Sequence, residues 1–337
     1  MRPSPQTDTV PIIDIAPLID NTGELTTVAN RMNRACREHG FFYISHHRVD
    51  EALMEQLATL SHRFFVQDQT VKMKIRMERG GRAWRGYFPV GGELTSGRPD
   101  QKEGLYFGAE LGPDDPRVQA GRPMHGPNLF PTDLPEFRSV VLEYMDALTQ
   151  LGHTLMRGLS LSLGQRATYF ADHYTTDPLT LFRIFHYPPV ANTDDSWGVG
   201  EHTDYGLLTI LKQDAVGGLQ IKSHGRWIDA PPVPGTFICN IGDMLERLTH
   251  GRYRSTPHRV RNVSHRSRYS FPFFFDPNVD ALMVPMDPDP TTTLEASPRW
   301  DGANVHGYRG TYGDYLLRKV AKVFPQLQRD VLDRADE

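Results

Sequence analysis

The chain has 337 residues, with 37 Lys and Arg against 41 Asp and Glu, a net charge of −4 and two cysteines. This balance gives no global attraction to nucleic acid or to an anionic membrane, no stretch approaches the roughly 18 apolar residues of a membrane span, and the run from Met1 to Asp8 lacks an apolar signal core. The expected partner is a small molecule, with no nucleic acid and no membrane; Cys36 and Cys239 are expected to be reduced, buried thiols of a cytoplasmic protein, and the oligomeric state is left open.

In chain order, Val10 to Ile15 reads as a short strand, followed by a helix over Thr26 to His39 with Val28, Met32, Ala35 and Cys36 on one face. Phe41 to Ile44 is a second strand. Asp50 to Phe65 carries Leu53, Met54, Leu57, Leu60 and Phe64 at helical spacing, and a further helix is expected near 68–77. From Gly80 to Pro131 the chain is rich in Gly and Pro and has no regular period, as expected of a functional or mobile segment. Thr132 to Leu163 is the most periodic stretch, with Asp133 as the expected N-cap, Pro135 in the first turn and Gly164 as the stop. Strands are then expected at 180–187, 207–213, 218–223, 226–229, 236–241, 258–263 and 269–275, a density that suggests a sandwich or jelly roll. After a loop rich in Pro, Asp and Thr at 284–298, Thr311 to Phe324 is expected to close the chain as a helix against the outside of the barrel.

Within the strand-rich half stand His202-Thr-Asp204, then His258, then Arg268-Tyr-Ser270. Residues two apart on a strand project from one side, so His202 and Asp204 form one pair and Arg268 and Ser270 another. Two imidazoles and a carboxylate on one face of Fe(II) leave three adjacent positions open, as an oxygen-activating non-haem iron requires. An arginine fork beside a hydroxyl suits a carboxylate-bearing ligand. With 14 histidines and 41 acidic residues, chance alone gives roughly 1.7 His-x-Asp/Glu pairs, so the single pair found carries weight only with its context. That context is the Gly200-Glu-His-Thr-Asp-Tyr-Gly206 turn into an apolar strand, and His258 opening another.

These residues resemble the isopenicillin N synthase-like branch of the 2-oxoglutarate and Fe(II)-dependent dioxygenases. The matching segments are Pro11-Ile-Ile-Asp-Ile, Gly40-Phe-Phe-Tyr-Ile, His186-Tyr-Pro-Pro, His202-Thr-Asp-Tyr-Gly, Asn240-Ile-Gly-Asp-Met-Leu, Arg252-Tyr-Arg-Ser-Thr-Pro-His-Arg-Val and Arg268-Tyr-Ser-Phe-Pro-Phe-Phe, spread over most of the chain. The resemblance implies a mainly β fold with flanking helices around a double-stranded β-helix, or jelly-roll, core at 178–290. A helical and mixed region at 1–170 would pack on it, with a loop and helix at 291–337. It implies His202, Asp204 and His258 as catalytic iron ligands, Arg268 and Ser270 as partners of the distal carboxylate of 2-oxoglutarate, and Tyr187 as a further contact to that cosubstrate. The implied reaction consumes O2 and 2-oxoglutarate, releases succinate and CO2, and hydroxylates, desaturates or cyclises a small molecule at a C–H bond.

Four alternatives stay open. An isopenicillin N synthase-type oxidase has the same Arg-x-Ser element without 2-oxoglutarate. Gly86-Tyr87, Arg98-Pro-Asp100, Asp115-Pro-Arg-Val118 and Met124-His-Gly-Pro127 also resemble bacterial ethylene-forming enzymes, which fragment 2-oxoglutarate itself. The other two are a redox-neutral jelly-roll isomerase and a jelly-roll binding protein without turnover. Arg82, Tyr87, Glu93 and Thr95 are candidate substrate contacts. His186, next to Tyr187, is expected on the opposite strand face and is not counted as a ligand. His47 is grouped with the surface or capping histidines, and the arginines at 252, 254, 259, 261 and 266 are expected on a solvated face with Arg268 alone turned inward.

Overall fold

The computed structural model describes residues 9–189, 197–261, 264–286, 299–325 and 329. Its centre is an eight-stranded mixed sheet whose strands run, in spatial order, Ile12–Asp14, Phe41–Ser45, Thr236–Ile241, Leu208–Gln213, Arg268–Asp276, Leu179–Tyr187, Glu103–Gly108 and Gly86–Phe88. The first pair is parallel and the others are antiparallel. A four-stranded antiparallel sheet, Arg226–Asp229, Leu219–Ser223, His258–Val260 and Val199–His202, supplies the second layer. This is the jelly-roll core with flanking helices that the sequence suggests. Residues before 110 contribute four strands to the large sheet, so the N-terminal region is woven into the core as well as packed on it.

The helices fall where apolar periodicity is strongest. Leu25–Glu38 buries Val28, Ala29, Met32, Ala35 and Cys36, and Glu51–Phe65 starts at Asp50, whose carboxylate accepts the Ala52 N–H at 2.9 Å. The long helix Glu136–Ser162 lies against strand Arg268–Asp276, and Gly152 permits the contact: a Cβ there would sit 2.3 Å from the Phe275 ring. Its start differs from expectation. Pro135 occupies the cap position, while Asp133 accepts instead from Gln67. The helix expected near 68–77 is broken into a turn at Gln69–Lys72 and 3-10 segments at Met73–Ile75 and Met77–Ala83, because Arg76 adopts an extended backbone between them.

The segment at 80–131 is less irregular than its composition suggests, since Gly86–Phe88 and Glu103–Gly108 extend the large sheet. The expected strand at 258–263 is seen as His258–Val260; residues 262–263 and most of the loop at 284–298 lie outside the described residues. Among the described residues no helix is long and apolar enough to cross a membrane. His47 is buried, not superficial: left-handed backbone at His46 and Arg48 turns its ring onto Phe237, 4.5 Å between centroids. Arg254 and Arg266 are exposed, Arg259 stacks between Trp197 and Trp227, and Arg268 is fully buried.

Candidate active site

A cavity of about 460 Å³ opens between the two sheets, lined by His202, Asp204, His258, Tyr187, Arg268 and Ser270 among others. All six residues singled out from the sequence therefore meet in one place. The smaller sheet brings the histidines together through register. His202 ends its strand directly opposite His258, and their ring centroids are 4.2 Å apart. Asp204 lies just past the strand end, and its Oδ1 is 3.9 Å from His202 Nε2 and 3.8 Å from His258 Nε2. One donor atom from each of the three falls within 4.8 Å of the others.

The surroundings orient each donor. His202 Nδ1–H donates to the Gly200 carbonyl at 2.8 Å and His258 Nδ1–H to the Thr256 carbonyl at 3.2 Å, which leaves both Nε2 lone pairs directed at Asp204. Asp204 Oδ2 is occupied by Asn240 Nδ2 at 2.7 Å and Thr209 Oγ1 at 2.5 Å, so Oδ1 is the oxygen left for a cation. Burial pushes the His202 imidazole down, and burial with the nearby His202 ring pushes His258 down to about 4. Both rings are thus neutral near pH 7, the form that binds metal. Burial alone would raise the Asp204 carboxyl, but the two histidines and the Asn240 and Thr209 bonds hold it below its ordinary value. Two neutral imidazoles and one carboxylate, each fixed by a second bond, fit Fe(II).

The large sheet supplies the clamp. Arg268 and Ser270 share one face of strand Arg268–Asp276, and Tyr187 is the register partner of Arg268 on the neighbouring strand. The Arg268 guanidinium lies 4.5 Å over the Tyr187 ring, and its Nε donates to the Gly217 carbonyl. Its Nη1 and Nη2 are buried without a hydrogen-bond partner. Leaving a buried donor unsatisfied costs about 1–3 kcal/mol, and more when it is charged, so this fork calls for an anionic ligand in the cavity. His186 faces away, as strand alternation expects: its Nδ1 is 2.8 Å from Glu103 Oε1 and its ring stacks on Tyr269.

Glu93 and Thr95 line the cavity. Arg82 and Tyr87 do not: Arg82 donates to the Gly121 carbonyl, and the Tyr87 phenol donates to Glu103. Sequence reading did not single out Lys102, Arg183 or Tyr205, which also border it. The helix Tyr312–Val323 does not sit on the outside of the barrel. Leu316, Lys319, Lys322 and Val323 turn into the cavity wall, because Tyr312 and Tyr315 are tied by hydrogen bonds to Asp276 and Asp243 beneath.

With this geometry in view, known proteins give a consistent picture. The 2OG-Fe(II) oxygenase superfamily profile matches residues 178–277, and the profile described as non-haem dioxygenase in morphine synthesis, N-terminal, matches residues 10–133. A probable iron/ascorbate oxidoreductase of Dictyostelium discoideum is 50% identical over 96% of this chain and 97% of its own. A 1-aminocyclopropane-1-carboxylate oxidase of Dictyostelium mucoroides is 39% identical over 94% and 95%. Among solved structures, Neurospora crassa T7H in complex with alpha-KG and thymine superposes with a TM-score of 0.77 at 27% identity, covering 94% of this chain and 98% of that one.

Proposed function

The chain belongs to the 2OG-Fe(II) oxygenase superfamily, and from that premise we propose that it couples decarboxylation of 2-oxoglutarate to oxidation of a C–H bond in a small organic substrate. His202 Nε2, His258 Nε2 and Asp204 Oδ1 would hold the iron; Arg268, with Ser270 beside it and Tyr187 beneath it, would take the far carboxylate of 2-oxoglutarate. The observation that carries the reading is the unpaired fork of buried Arg268 in the same cavity as the two histidines and Asp204.

Bound there, iron with 2-oxoglutarate supplies O2 activation: for a hydroxylation, 2-oxoglutarate, O2 and R–H give succinate, CO2 and R–OH. The chain's own residues do the rest. Asn240 and Thr209 occupy the second oxygen of Asp204, so that Oδ1 would be the one offered to iron, and the carbonyls of Gly200 and Thr256 fix the imidazole tautomers. The Arg268 fork would set the direction in which a dicarboxylate lies, and Phe185, Leu219 and Val260 add apolar surface to the lining. The named ligands of two relatives, 1-aminocyclopropane-1-carboxylate and thymine, are small polar molecules of a size the cavity takes. A cytoplasmic setting, in which the buried free thiols Cys36 and Cys239 stay reduced, is part of the same proposal.

The test is anaerobic addition of Fe(II) and 2-oxoglutarate to purified protein. A weak visible charge-transfer band is expected in the wild type and none in His258→Ala. Under air, succinate release separates this reaction from a 2-oxoglutarate-independent oxidase, and headspace ethylene reports fragmentation of the cosubstrate. A flat anaerobic spectrum in the wild type would overturn the 2-oxoglutarate reading and point to a binding protein, unless substrate is still oxidised under air without succinate, as a 2-oxoglutarate-independent oxidase would do.

A further inference from the structure

Iron and cosubstrate leave part of the cavity lining unused. Arg183 stands in strand Leu179–Tyr187, four residues before Tyr187, and projects from the same face. Its guanidinium is sandwiched between the rings of Tyr106, 4.1 Å away, and Phe274, 4.7 Å away. Its nearest anion is Glu93 Oε1 at 3.7 Å, beyond hydrogen-bond reach, and that oxygen already accepts the Tyr106 phenol at 2.5 Å. The Nε of Arg183 is buried with no partner.

Two fully buried arginines away from the cavity, Arg85 and Arg247, behave differently. Arg85 donates to the carbonyls of Ala109, Gly126 and Met124, and Arg247 to those of Met283, Val305 and His306. Arg85 and Arg247 thus spend their forks on backbone oxygen, whereas Arg183 and Arg268 turn theirs to the cavity they line. Tyr205, just after Asp204, adds a phenol to the cavity lining near Arg183.

We propose that Arg183, with Tyr205 beside it, binds a carboxylate of the primary substrate, so that the protein oxidises a small carboxylic acid. A carboxylate offers two oxygens in the geometry of the guanidinium fork, and such charge-assisted pairs are about twice as strong as neutral hydrogen bonds; a carboxamide matches only one. A phosphate dianion fits less well, because Glu93 stands 3.7 Å from the fork and Asp204 lines the same cavity. The body of the acid would lie against Leu94, Phe274, Leu316 and Val323, which are apolar.

This inference rests on the oxygenase reading, and one experiment separates the two. Protein saturated anaerobically with Fe(II) and 2-oxoglutarate is titrated calorimetrically with acetate, hexanoate, phenylacetate and L-alanine, and with the primary amide of each, while the charge-transfer band is followed in the same samples. The band must be present in the wild type; its absence overturns the oxygenase reading and this one with it. With the band present, at least one acid is expected to bind about tenfold or more tightly than its amide. That preference should vanish in Arg183→Met and shrink in Tyr205→Phe, with the band retained. If no acid binds more tightly than its amide, or if Arg183→Met keeps the preference, the proposal is wrong. Should Arg183→Met lose the band through misfolding, Arg183→Gln decides: it keeps a polar side chain of similar reach without the charge or the fork, and an unchanged preference would equally overturn the proposal.

Discussion

The cavity has two walls built on different principles. The first is formed by both sheets: His202 and His258 are in register on the small one, and Arg268 and Ser270 share a strand face on the large one, so backbone ladders set the spacing of these donors, with Asp204 just past a strand end. The second is gathered from the segment around Glu93–Lys102 and from the C-terminal helix, and side chains hold it together. Lys102 bridges Glu93, at 2.7 Å, and Asp100, while Asp243 receives Tyr315, Arg299 and Lys319. The first wall is therefore stiff wherever the sheets are intact. The second depends on a few buried ionic contacts, each of which can be cut singly.

The largest effect is expected on the first wall. Arg268→Met removes the cation that would pair with the buried far carboxylate of 2-oxoglutarate, and breaking such a pair costs about 3–5 kcal/mol, or roughly a hundred- to a thousandfold or more in half-saturation. Iron affinity, which the fork does not touch, should stay within about twofold, less than ~0.5 kcal/mol. Calorimetric titration with Fe(II) alone under anaerobic conditions measures the first, and titration of the iron-loaded protein with 2-oxoglutarate, followed by the anaerobic band, measures the second. Equal loss of both would mean that the register of the large sheet had failed and that the wall is less stiff than its ladder suggests.

The same contrast explains what was legible in the sequence. Arg268-x-Ser270 stands out because strand alternation writes a shared face as a spacing of two; His202-x-Asp204 has the same spacing although its strand ends at His202, and the large helix is legible because Phe137, Val140, Val141 and Tyr144 recur at helical intervals. Arg183 left a weaker trace, a single charge in an apolar strand at the same parity as Tyr187, and nothing nearby in sequence says that Tyr106 and Phe274 enclose it. The apolar stripe of the C-terminal helix was readable, but a stripe does not name the surface it covers. His47 has no periodic signal at all, since the left-handed residues on either side turn it inward.

Asp276 is where the walls join. Its Oδ1 accepts the Leu207 N–H at 3.3 Å on the iron side, and the Tyr312 phenol of the C-terminal helix donates to its Oδ2. Gly206 leaves room for this, since a Cβ there would lie 1.5 Å from Asp276 Oδ1. Burial pushes the carboxyl up to about 7 from an ordinary 3.8. The folded protein therefore keeps a proton that the unfolded chain has released: the stabilising contribution is complete below about pH 4, declines as pH rises, and is gone above about 7. At about 1.4 kcal/mol per unit, the stability of the wild-type apo protein relative to Asp276→Asn should fall by a few kcal/mol between about pH 4 and 8. Urea midpoints across that range measure the change. A flat difference would make the joint an ionised carboxylate, and the coupling between the walls ionic at every pH.

The smallest effect isolates the second wall. Tyr315 OH donates to Asp243 Oδ2 at 2.8 Å, and Asp243 is fully buried, its Oδ1 accepting Ser255 Oγ at 2.8 Å and facing Arg299 Nη2 at 3.0 Å. Because Arg299 remains and Lys319 stands 3.4 Å away, Tyr315→Phe leaves the carboxylate paired and should cost only about 1–1.5 kcal/mol, the net worth of one hydrogen bond. If the C-terminal helix opens as a unit separate from the sheets, that loss appears as roughly tenfold faster amide exchange in Tyr312–Val323, with exchange in Leu208–Gln213 unchanged. The alternative outcome is equal acceleration in both segments. It would mean that the hydrogen bonds of Asp276 to Tyr312 and Leu207 bind helix and iron loop into one cooperative unit, and that the two walls differ in how they are assembled but not in how they open.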